Sequence, residues 1–468
     1  NEDVISITSM KIDSTAYSYD SAYWANIRPV PLSKYEEKGY NVTDSLAEQN
    51  RRAADGDSTI VGRKKGFDVN DLIFGNRYKI ADKTHLRINN AALTVGFNTV
   101  EGFNFRYGLQ LSKTFDKLRW LSIEPTVRYA FAREKLIGNL KINWKQSKDE
   151  MWTLEGGKNI SQFNDNVPIL PIINTQSSLF YEQNYMKIYE QKYLKLRLNK
   201  KLNDHFRFDG NIMWSERTQL FNNTDYSIRD IETRTYTVNQ PENAELDNTA
   251  FNSNKAFLTN LTLAYIPVVK YAIRNKVKRA ITDSSPLITM SYTGGLSVAE
   301  SEVDFDLLDI GVKHSFKTGV TGKLSFKLNG GLFLNKDQLT FIDYRHFMGN
   351  RTVLQSSDPV GSYRLLEYYR HSTANEYVAA FVHYDFRKLL LTRLPFVRDR
   401  GLKEAVFVNY LGTDSSMNYT EVGYSINNIY RIFRIEGVAS FKDGIYYDWG
   451  IRIGLATNLS SLVSFGNY

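Results

Sequence analysis

Four closely spaced carboxylates in the stretch EVDFDLLD, residues 302–309, could offer oxygen ligands to a hard cation such as calcium. They belong to Glu302, Asp304, Asp306 and Asp309. The stretch lacks the glycine and the ligand spacing of a calcium-binding loop. We therefore predict no metal site here.

The histidines are spread too widely along the chain to suggest shared chemistry. The sequence has six of them: His85, His205, His314, His346, His371 and His383. They form no HExxH motif and no i,i+4 pair, the spacing that places two imidazoles on one metal. We expect His314 and His383, which fall in the middle of predicted strands, to be lumen or interface residues.

Motifs for nucleophilic catalysis and nucleotide binding are also missing. No GxSxG, P-loop or dinucleotide fingerprint stands at a strand-to-helix junction. The chain has no cysteine, which excludes disulfides, thiolate metal sites and cysteine catalysis. The basic stretch RNKVKRA, residues 274–280, fits a solvated turn near anionic headgroups better than a nucleic-acid site. We predict a non-enzymatic protein without catalytic residues, cofactors or a nucleic-acid partner.

A different chemistry, the pairing of guanidinium with carboxylate, is available to the long polar stretch at 335–375. Its arginines are Arg345, Arg351, Arg364 and Arg370. Candidate partners in the middle of predicted strands are Glu124, Asp209 and Glu436. Such a pair is bidentate and strengthens away from bulk water, so we predict that this stretch folds back against these acids inside a barrel. The alternative is a mobile external loop whose arginines meet anionic lipid headgroups.

These acids can face one another only if the segments that carry them belong to one curved sheet. In DWGIRIGLAT, residues 448–457, large apolar side chains alternate with polar or small ones, which is the period of a strand. The same alternation recurs along the chain and predicts strands near 71–80, 103–113, 120–132, 139–146, 151–160, 185–200, 206–217, 256–266, 286–296, 305–317, 323–334, 376–387, 404–411, 420–427, 432–442 and 447–457.

The number of strands decides between the fold classes. Soluble sandwiches alternate too, but an even count of about sixteen is typical of single-chain outer-membrane barrels. No window offers the roughly 18 consecutive apolar residues of a transmembrane helix. The sequence therefore predicts an all-β fold, a transmembrane antiparallel β-barrel of about 16 strands over 71–468, with its apolar columns facing lipid.

The connections between strands support the same topology. Long ones, at 161–184, 218–255 and 335–375, alternate with short turns such as 114–119 and 201–205. Two connections on the short side, 267–285 and 388–403, are longer than the pattern allows, and we expect a helical turn in each.

Residues 1–70 do not read as barrel strands. Ser33 and Glu36 have the spacing of a helix capping box, so we expect a short helix after Ser33. We predict that this segment lies in the periplasm or enters the lumen as a plug.

Several motifs in a fixed order resemble a family of uncharacterised Bacteroidota outer-membrane barrels: YWANIRPVPLSKYE, FNTVEGFNFRYG, QFNDNVPILP, NYMKIYEQKYLKL, HFMGN and YRLLEYYRHSTANEYV. The resemblance covers essentially the whole chain. Members of that family usually carry an N-terminal carboxypeptidase-regulatory-like domain, which the resemblance implies would precede Asn1. It also implies a location in the bacterial outer membrane.

The chain is also similar, more weakly, to the assembly barrels of the BamA and TamA superfamily. These barrels have a long loop between their eleventh and twelfth strands that starts near an aromatic-Gly-Gly pattern and carries an Arg-Gly-aromatic tip. Here 335–375 is the corresponding loop, and Phe347, Gly349 and Asn350 stand where the glycine pair would be. Arg351 and Arg364 are candidates for the tip arginine, but neither is followed by glycine.

Two functions remain open at this point. The first is a non-enzymatic assembly or accessory component of an outer-membrane complex, with lipid, lipopolysaccharide and other outer-membrane or periplasmic proteins as partners. The second is a passive porin or transport channel. A plug-like N-terminus and a long loop that folds inward favour the first, because both would obstruct an open pore.

Overall fold

The computed structural model describes residues 4–5, 23, 68–91, 94–274, 277–319, 322–355, 357–394, 401–430 and 432–455. Within these ranges the helical elements are α1 (Asn70–Phe74), α2 (Pro171–Tyr181) and the 3₁₀ turns Phe341–Asp343 and Leu391–Arg393. Neither α1 nor α2 has the length and hydropathy that a membrane-crossing helix requires.

Strands account for most of the remaining described chain. In order they are β1 (Val4–Ile5), β2 (Asn76–Ala81), β3 (Thr84–Ile88), β4 (Val95–Asn98), β5 (Gly102–Thr114), β6 (Trp120–Ala130), β7 (Lys135–Lys145), β8 (Glu150–Gln162), β9 (Ile188–Lys201), β10 (Phe206–Gln219), β11 (Asn254–Tyr265), β12 (Lys270–Arg274), β13 (Val277–Ile281), β14 (Leu287–Gly295), β15 (Asp304–Thr318), β16 (Gly322–Gln338), β17 (Leu354–Gln355), β18 (Tyr377–Phe386), β19 (Lys403–Gly412), β20 (Tyr419–Ile429), β21 (Phe433–Lys442) and β22 (Ile445–Leu455).

The predicted all-β barrel is confirmed. Apart from β1, β12 and β13, the strands form one sheet whose order is that of a closed barrel. From β5 to β22 each wall strand pairs antiparallel with the next wall strand in the chain, so that β11 pairs with β14 and β16 with β18. Both β3 and β4 pair with β5 and act as one interrupted wall strand. Counted this way, and without β2 and β17, the described sheet has sixteen wall strands.

The first wall strand differs from the prediction. Residues 70–74 are helical, β2 occupies only the second half of the predicted strand 71–80, and β2 pairs with β3 rather than with β5. The strand over 84–98 was not predicted. Its apolar alternation is broken at Asn89 and Asn90, between β3 and β4, so neither half is long enough to stand out in the sequence.

Side chains on the two faces of the wall have opposite character. On the outer face, apolar residues such as Leu136, Ile310 and Ile451 are exposed. On the inner face, polar residues such as Ser122 and Glu421 are buried. This is the pattern of a barrel whose outer surface meets lipid and whose lumen is polar.

Connections at the two ends of the wall differ in length. We call the end with the connections at 163–187, 220–253 and 339–376 the loop end, and the opposite end, with tight turns such as 115–119, the turn end. Of the two unusually long turn-end connections, 388–403 contains the 3₁₀ turn at 391–393, as expected. The helical turn expected in 267–285 is wrong, because this connection forms β12 and β13. Alternating residues such as Tyr271 and Ile273 suit an extended backbone better than a helix.

Residues 1–71 and 271–279 form a separate compact unit, in which β1 pairs in parallel with β12. The expected helix after Ser33 and its capping residue Glu36 lie outside the described residues. The assignment of residues 1–70 to the periplasm or to a plug therefore stays a prediction.

Candidate functional site: the lumen loop and the strand edges

The connection from β16 to β18, residues 339–376, is anchored at the loop end by a buried ion pair. We call this connection the lumen loop. Thr340 and Asp343 form a capping box around the 3₁₀ turn at its start. Asp343 also accepts bonds of 2.5 and 3.1 Å from the guanidinium of Arg217 on β10, and both side chains are almost fully buried. A charge-assisted bidentate pair of this kind fixes the direction in which the loop enters.

Aromatic side chains pack around this anchor. Phe163, Tyr189, Phe251, Phe341 and Tyr369 form one buried cluster. The cluster joins the three longest loop-end connections, so the lumen loop enters beneath a packed layer of side chains rather than through open water.

The FMGN motif, residues 347–350, lies in the first arm of the lumen loop, which leads away from β16. Phe347 packs against Tyr377 of β18, with ring centroids 5.3 Å apart, and its carbonyl accepts a 3.0 Å bond from Asn164. A Cβ on Gly349 would lie 2.6 Å from the carbonyl oxygen of Leu366, so only glycine fits this crossing. The N–H of Asn350 donates to the same carbonyl at 2.9 Å. The motif is therefore the point where the two arms of the loop touch.

Arg364 is at the centre of the second arm of the lumen loop, which leads back to β18. Its guanidinium donates two 3.1 Å bonds to the carboxylate of Glu436 on β21, and neither side chain is exposed. It also lies 4.2 Å from the ring centroid of Phe407 on β19. Arg434 reaches the same carboxylate at 3.3 Å. The sequence offered four arginines and three acids for such an ion pair. The structure brings Arg364 and Glu436 together.

Glu421 on β20 binds the backbone of the lumen loop at Arg364. This residue was not predicted from the sequence. Its carboxylate accepts backbone N–H bonds from Arg364, Leu365 and Leu366 at 2.8, 2.7 and 3.2 Å. On the other side, the guanidinium of Arg452 on β22 donates to the Arg364 carbonyl at 2.7 Å. An acid that receives backbone N–H groups needs no basic residue as a partner. The only signal available was its position in the inward column of a strand.

The other predicted site residues lie apart from this centre. Arg351 reaches Asp448 of β22 at 3.5 Å. Glu124 accepts bonds from Gln110, Ser122 and Asn143. Asp209 pairs with Arg197 of the neighbouring strand at 2.6 Å. The structure therefore does not bring Glu124 or Asp209 to the loop, because neighbouring strands already supply their partners.

The remaining arginines of the loop also have local partners. Arg345 lies 3.6 Å from Asp309, and Arg370 lies 3.2 Å from Glu367. The carboxylates of EVDFDLLD do not converge: Asp304 accepts from Asn335, Asp306 from Tyr292 and Asp309 from Tyr377. Within the described ranges no three histidine or acidic side chains meet as metal ligands.

Two histidines of the lumen loop, His346 and His371, are buried. His346 contacts the hydroxyl of Ser372 at 2.8 Å and packs edge-on to Phe341 and Tyr369. Burial lowers the pKa of His346 to about 4, and it has the same effect on His371. Both imidazoles are therefore neutral at pH 7, and their packing depends on that state.

The tip of the loop supplies a short strand to the last wall strand. On the side of β22 away from β21, β17 pairs in parallel, with Leu354 opposite Ile453 and Gln355 opposite Gly454. The N–H of Ile453 donates to the carbonyl of Val353 at 2.8 Å. Among the described residues no ladder joins β22 to β2, β3 or β4. We call this junction between the last and first wall strands the seam.

On the other side of the seam, the edge of the first wall strand is covered by β2 and α2. At the turn end, β2 pairs with β3. At the loop end, two side chains of α2 bond the free edge of β4: the N–H of Phe97 donates to Thr175 Oγ1 at 2.9 Å, and Asn174 donates to the Phe97 carbonyl at 3.2 Å.

Comparisons with known proteins place this geometry in a family. Residues 70–426 match the family described as a family of unknown function (DUF5686), C-terminal domain. No curated protein matches the chain. Among solved structures, BamA from Haemophilus ducreyi, lacking POTRA domains 1–3, is similar with 9% identity and a TM-score of 0.42, covering 81% of this chain and 69% of that one. CdiB from Acinetobacter baumannii has 12% identity and a TM-score of 0.37, covering 79% and 59%. A Rhodopseudomonas blastica porin mutant has 10% identity and a TM-score of 0.31, covering 75% and 90%.

Proposed function

The chain belongs to this family of unknown function, DUF5686, through its C-terminal domain, and on that premise we propose that it is a non-enzymatic assembly or accessory component of a bacterial outer-membrane complex. One observation carries the proposal. Among the described residues, the outer edge of the last wall strand pairs with a two-residue strand of the chain's own lumen loop, and no ladder joins it to the first wall strand.

The physical reason lies in the solvent around the barrel. An unpaired backbone group in hydrocarbon costs several kcal/mol, so a strand edge there must be covered. A cover of two residues is small compared with the eleven residues of β22. An incoming strand that bonds the whole edge would form more backbone hydrogen bonds than β17 does. The seam is therefore suited to receiving an extended segment of a partner protein.

A crosslinking experiment tests this reading. A photoreactive residue at Ile451, which is exposed on β22, should form adducts with partner proteins in intact cells. The same probe at Val408, exposed in the middle of the wall on β19, is the matched control and should give none.

The cysteine-free chain allows the seam to be locked. Cysteines at Leu354 and Ile453, which are opposite each other in the ladder, should form a disulfide and abolish the adducts at 451 until a reductant is added. Equal adduct yields from locked and reduced protein, or equal yields at 451 and 408, would contradict the proposal.

A passive pore is the second candidate, and one observation favours it. On the inward face of β9 and β10, the Arg197 and Asp209 side chains are 51% and 24% exposed, so water reaches this part of the wall. The part of the lumen loop around Arg364 packs instead against β19 to β22. A pore would need a continuous path along the β9 side from one end of the barrel to the other.

The resemblance in the sequence supports the remaining parts of the proposal. We place the protein in the outer membrane of a member of the Bacteroidota, with a carboxypeptidase-regulatory-like domain before Asn1. Its partners would be membrane lipid, lipopolysaccharide and other outer-membrane or periplasmic proteins, but not nucleic acid. Cell fractionation with an antibody against the barrel tests the location.

A further inference from the structure

Helix α2 has the opposite polarity to a helix that packs on a soluble core. Its buried side chains are Asn174, Ser177, Ser178 and Leu179, three of which are polar. Three of its apolar residues point outward: Ile172 is 68% exposed, Phe180 44% and Tyr181 45%. In water this arrangement would expose three large apolar side chains while polar side chains fill most of the buried face, which is the reverse of an ordinary amphipathic helix.

The buried polar face of α2 has a specific task. Asn174 and Thr175 bond the free edge of β4 at Phe97, and Asn174 Oδ1 also accepts from the N–H of Met186 at 3.3 Å. Because these polar groups must face the strand edge, Ile172, Phe180 and Tyr181 are left on the outside. What surrounds that outer face decides whether the arrangement is stable.

The strand edge that α2 covers adjoins the lipid-facing surface of the barrel. Phe97, which α2 bonds, packs against Phe103 of β5 with ring centroids 5.1 Å apart, and Tyr226 packs against both rings. Phe103 and, on the adjoining turn, Phe131 are exposed on the outer surface at this level. Exposed aromatic side chains near the loop end are where an outer-membrane barrel has its girdle at the membrane boundary.

We infer that α2 is an interfacial helix, whose Ile172, Phe180 and Tyr181 lie in the acyl-chain boundary of the outer leaflet while its polar face covers the β4 edge. A helix in this position needs one apolar face toward the acyl chains and one face that is bonded to protein or water, and α2 has both. The occupant of its outer face is lipid. The inference goes beyond the proposed function and holds for either candidate.

Site-directed spin labelling tests the inference, because a chain without cysteine accepts one label at a time. Nitroxides are placed singly at Ile172 and Phe180, and the protein is reconstituted in phosphatidylcholine and phosphatidylglycerol vesicles. Collisions with oxygen, which concentrates in the bilayer, and with a water-soluble nickel complex are then compared. Leu136, exposed on the outer face of β7, is the lipid reference, and the exposed loop residue Asp230 is the water reference.

Probes at 172 and 180 should resemble the probe at 136, with oxygen accessibility above that of the nickel complex. The order should be reversed at 230. A water-like result at 172 and 180 would overturn the inference. So would immobile labels that are shielded from both reagents, since these would mean that protein covers the helix. Both labelled residues are already exposed, so the label replaces no core contact, and electrophoretic migration before and after heating checks that each variant is folded.

Discussion

Glu436→Gln is the change that most directly weakens the docking of the lumen loop. The carboxylate contacts the guanidinium groups of both Arg364 and Arg434, and the side chains of Arg364 and Glu436 are 0% exposed. Glutamine keeps the shape but removes the charge that offsets the two cations. Breaking a buried pair by removing one partner typically costs about 3–5 kcal/mol.

That loss can be converted into a rate. If this loss falls on the docking equilibrium of the loop, the undocked population rises on the order of 10² to 10⁴-fold, because each 1.36 kcal/mol is about a factor of ten. Trypsin can cut after Arg364 only when that buried residue leaves its site. The rate of this cleavage, measured by mass spectrometry of the fragments, should therefore rise by the same factor where opening and closing are fast.

The matched control is Asp209→Asn, which removes the carboxylate from the partly exposed pair with Arg197. Exposed pairs contribute about 0–1 kcal/mol, so cleavage after Arg364 should change less than tenfold. Similar cleavage rates for the two variants would refute the claim that the buried pair holds the loop.

Two further outcomes are expected. Ile451→Arg, on the outer face of β22, should lower the unfolding free energy in vesicles by about 2–4 kcal/mol, whereas Ile451→Leu should leave it nearly unchanged; equal effects would place this face in water. His346 has a pKa of about 4 in the folded protein, below the ordinary value of 6.5. As the pH is lowered from 6.5 to 4, the unfolded chain therefore binds a proton that the folded protein does not. This residue should lower the unfolding free energy by about 3 kcal/mol over that range. Thermal unfolding at pH 7 and pH 4.5 should show a smaller loss for His346→Gln, and an identical loss would exclude His346 as the cause.

Alternation predicts the wall of this barrel well, because a strand with lipid on one side and a polar lumen on the other must repeat every two residues. It fails where the alternation is interrupted, as at Asn89 and Asn90 between β3 and β4. It also fails for α2, where Asn174 faces a strand edge and Phe180 faces outward, so the helix carries no normal amphipathic signal.

The site was predictable only in part. Charge type and strand position led to the pairing of Arg364 with Glu436, but they gave equal weight to Glu124 and Asp209. Those two acids have partners on neighbouring strands, and the strand register that provides them cannot be read from composition. Glu421 and β17 were missed because both bond backbone groups, which every residue carries.

The central claim is that the lumen loop stays docked in the barrel and that the protein acts through its seam rather than as a channel. Single-channel recording of the purified chain in planar bilayers tests it most directly. The unaltered protein should show no steady conductance, and Glu436→Gln should add brief openings as its loop undocks. A large and stable conductance from the unaltered protein would contradict the account and would identify the chain as a pore.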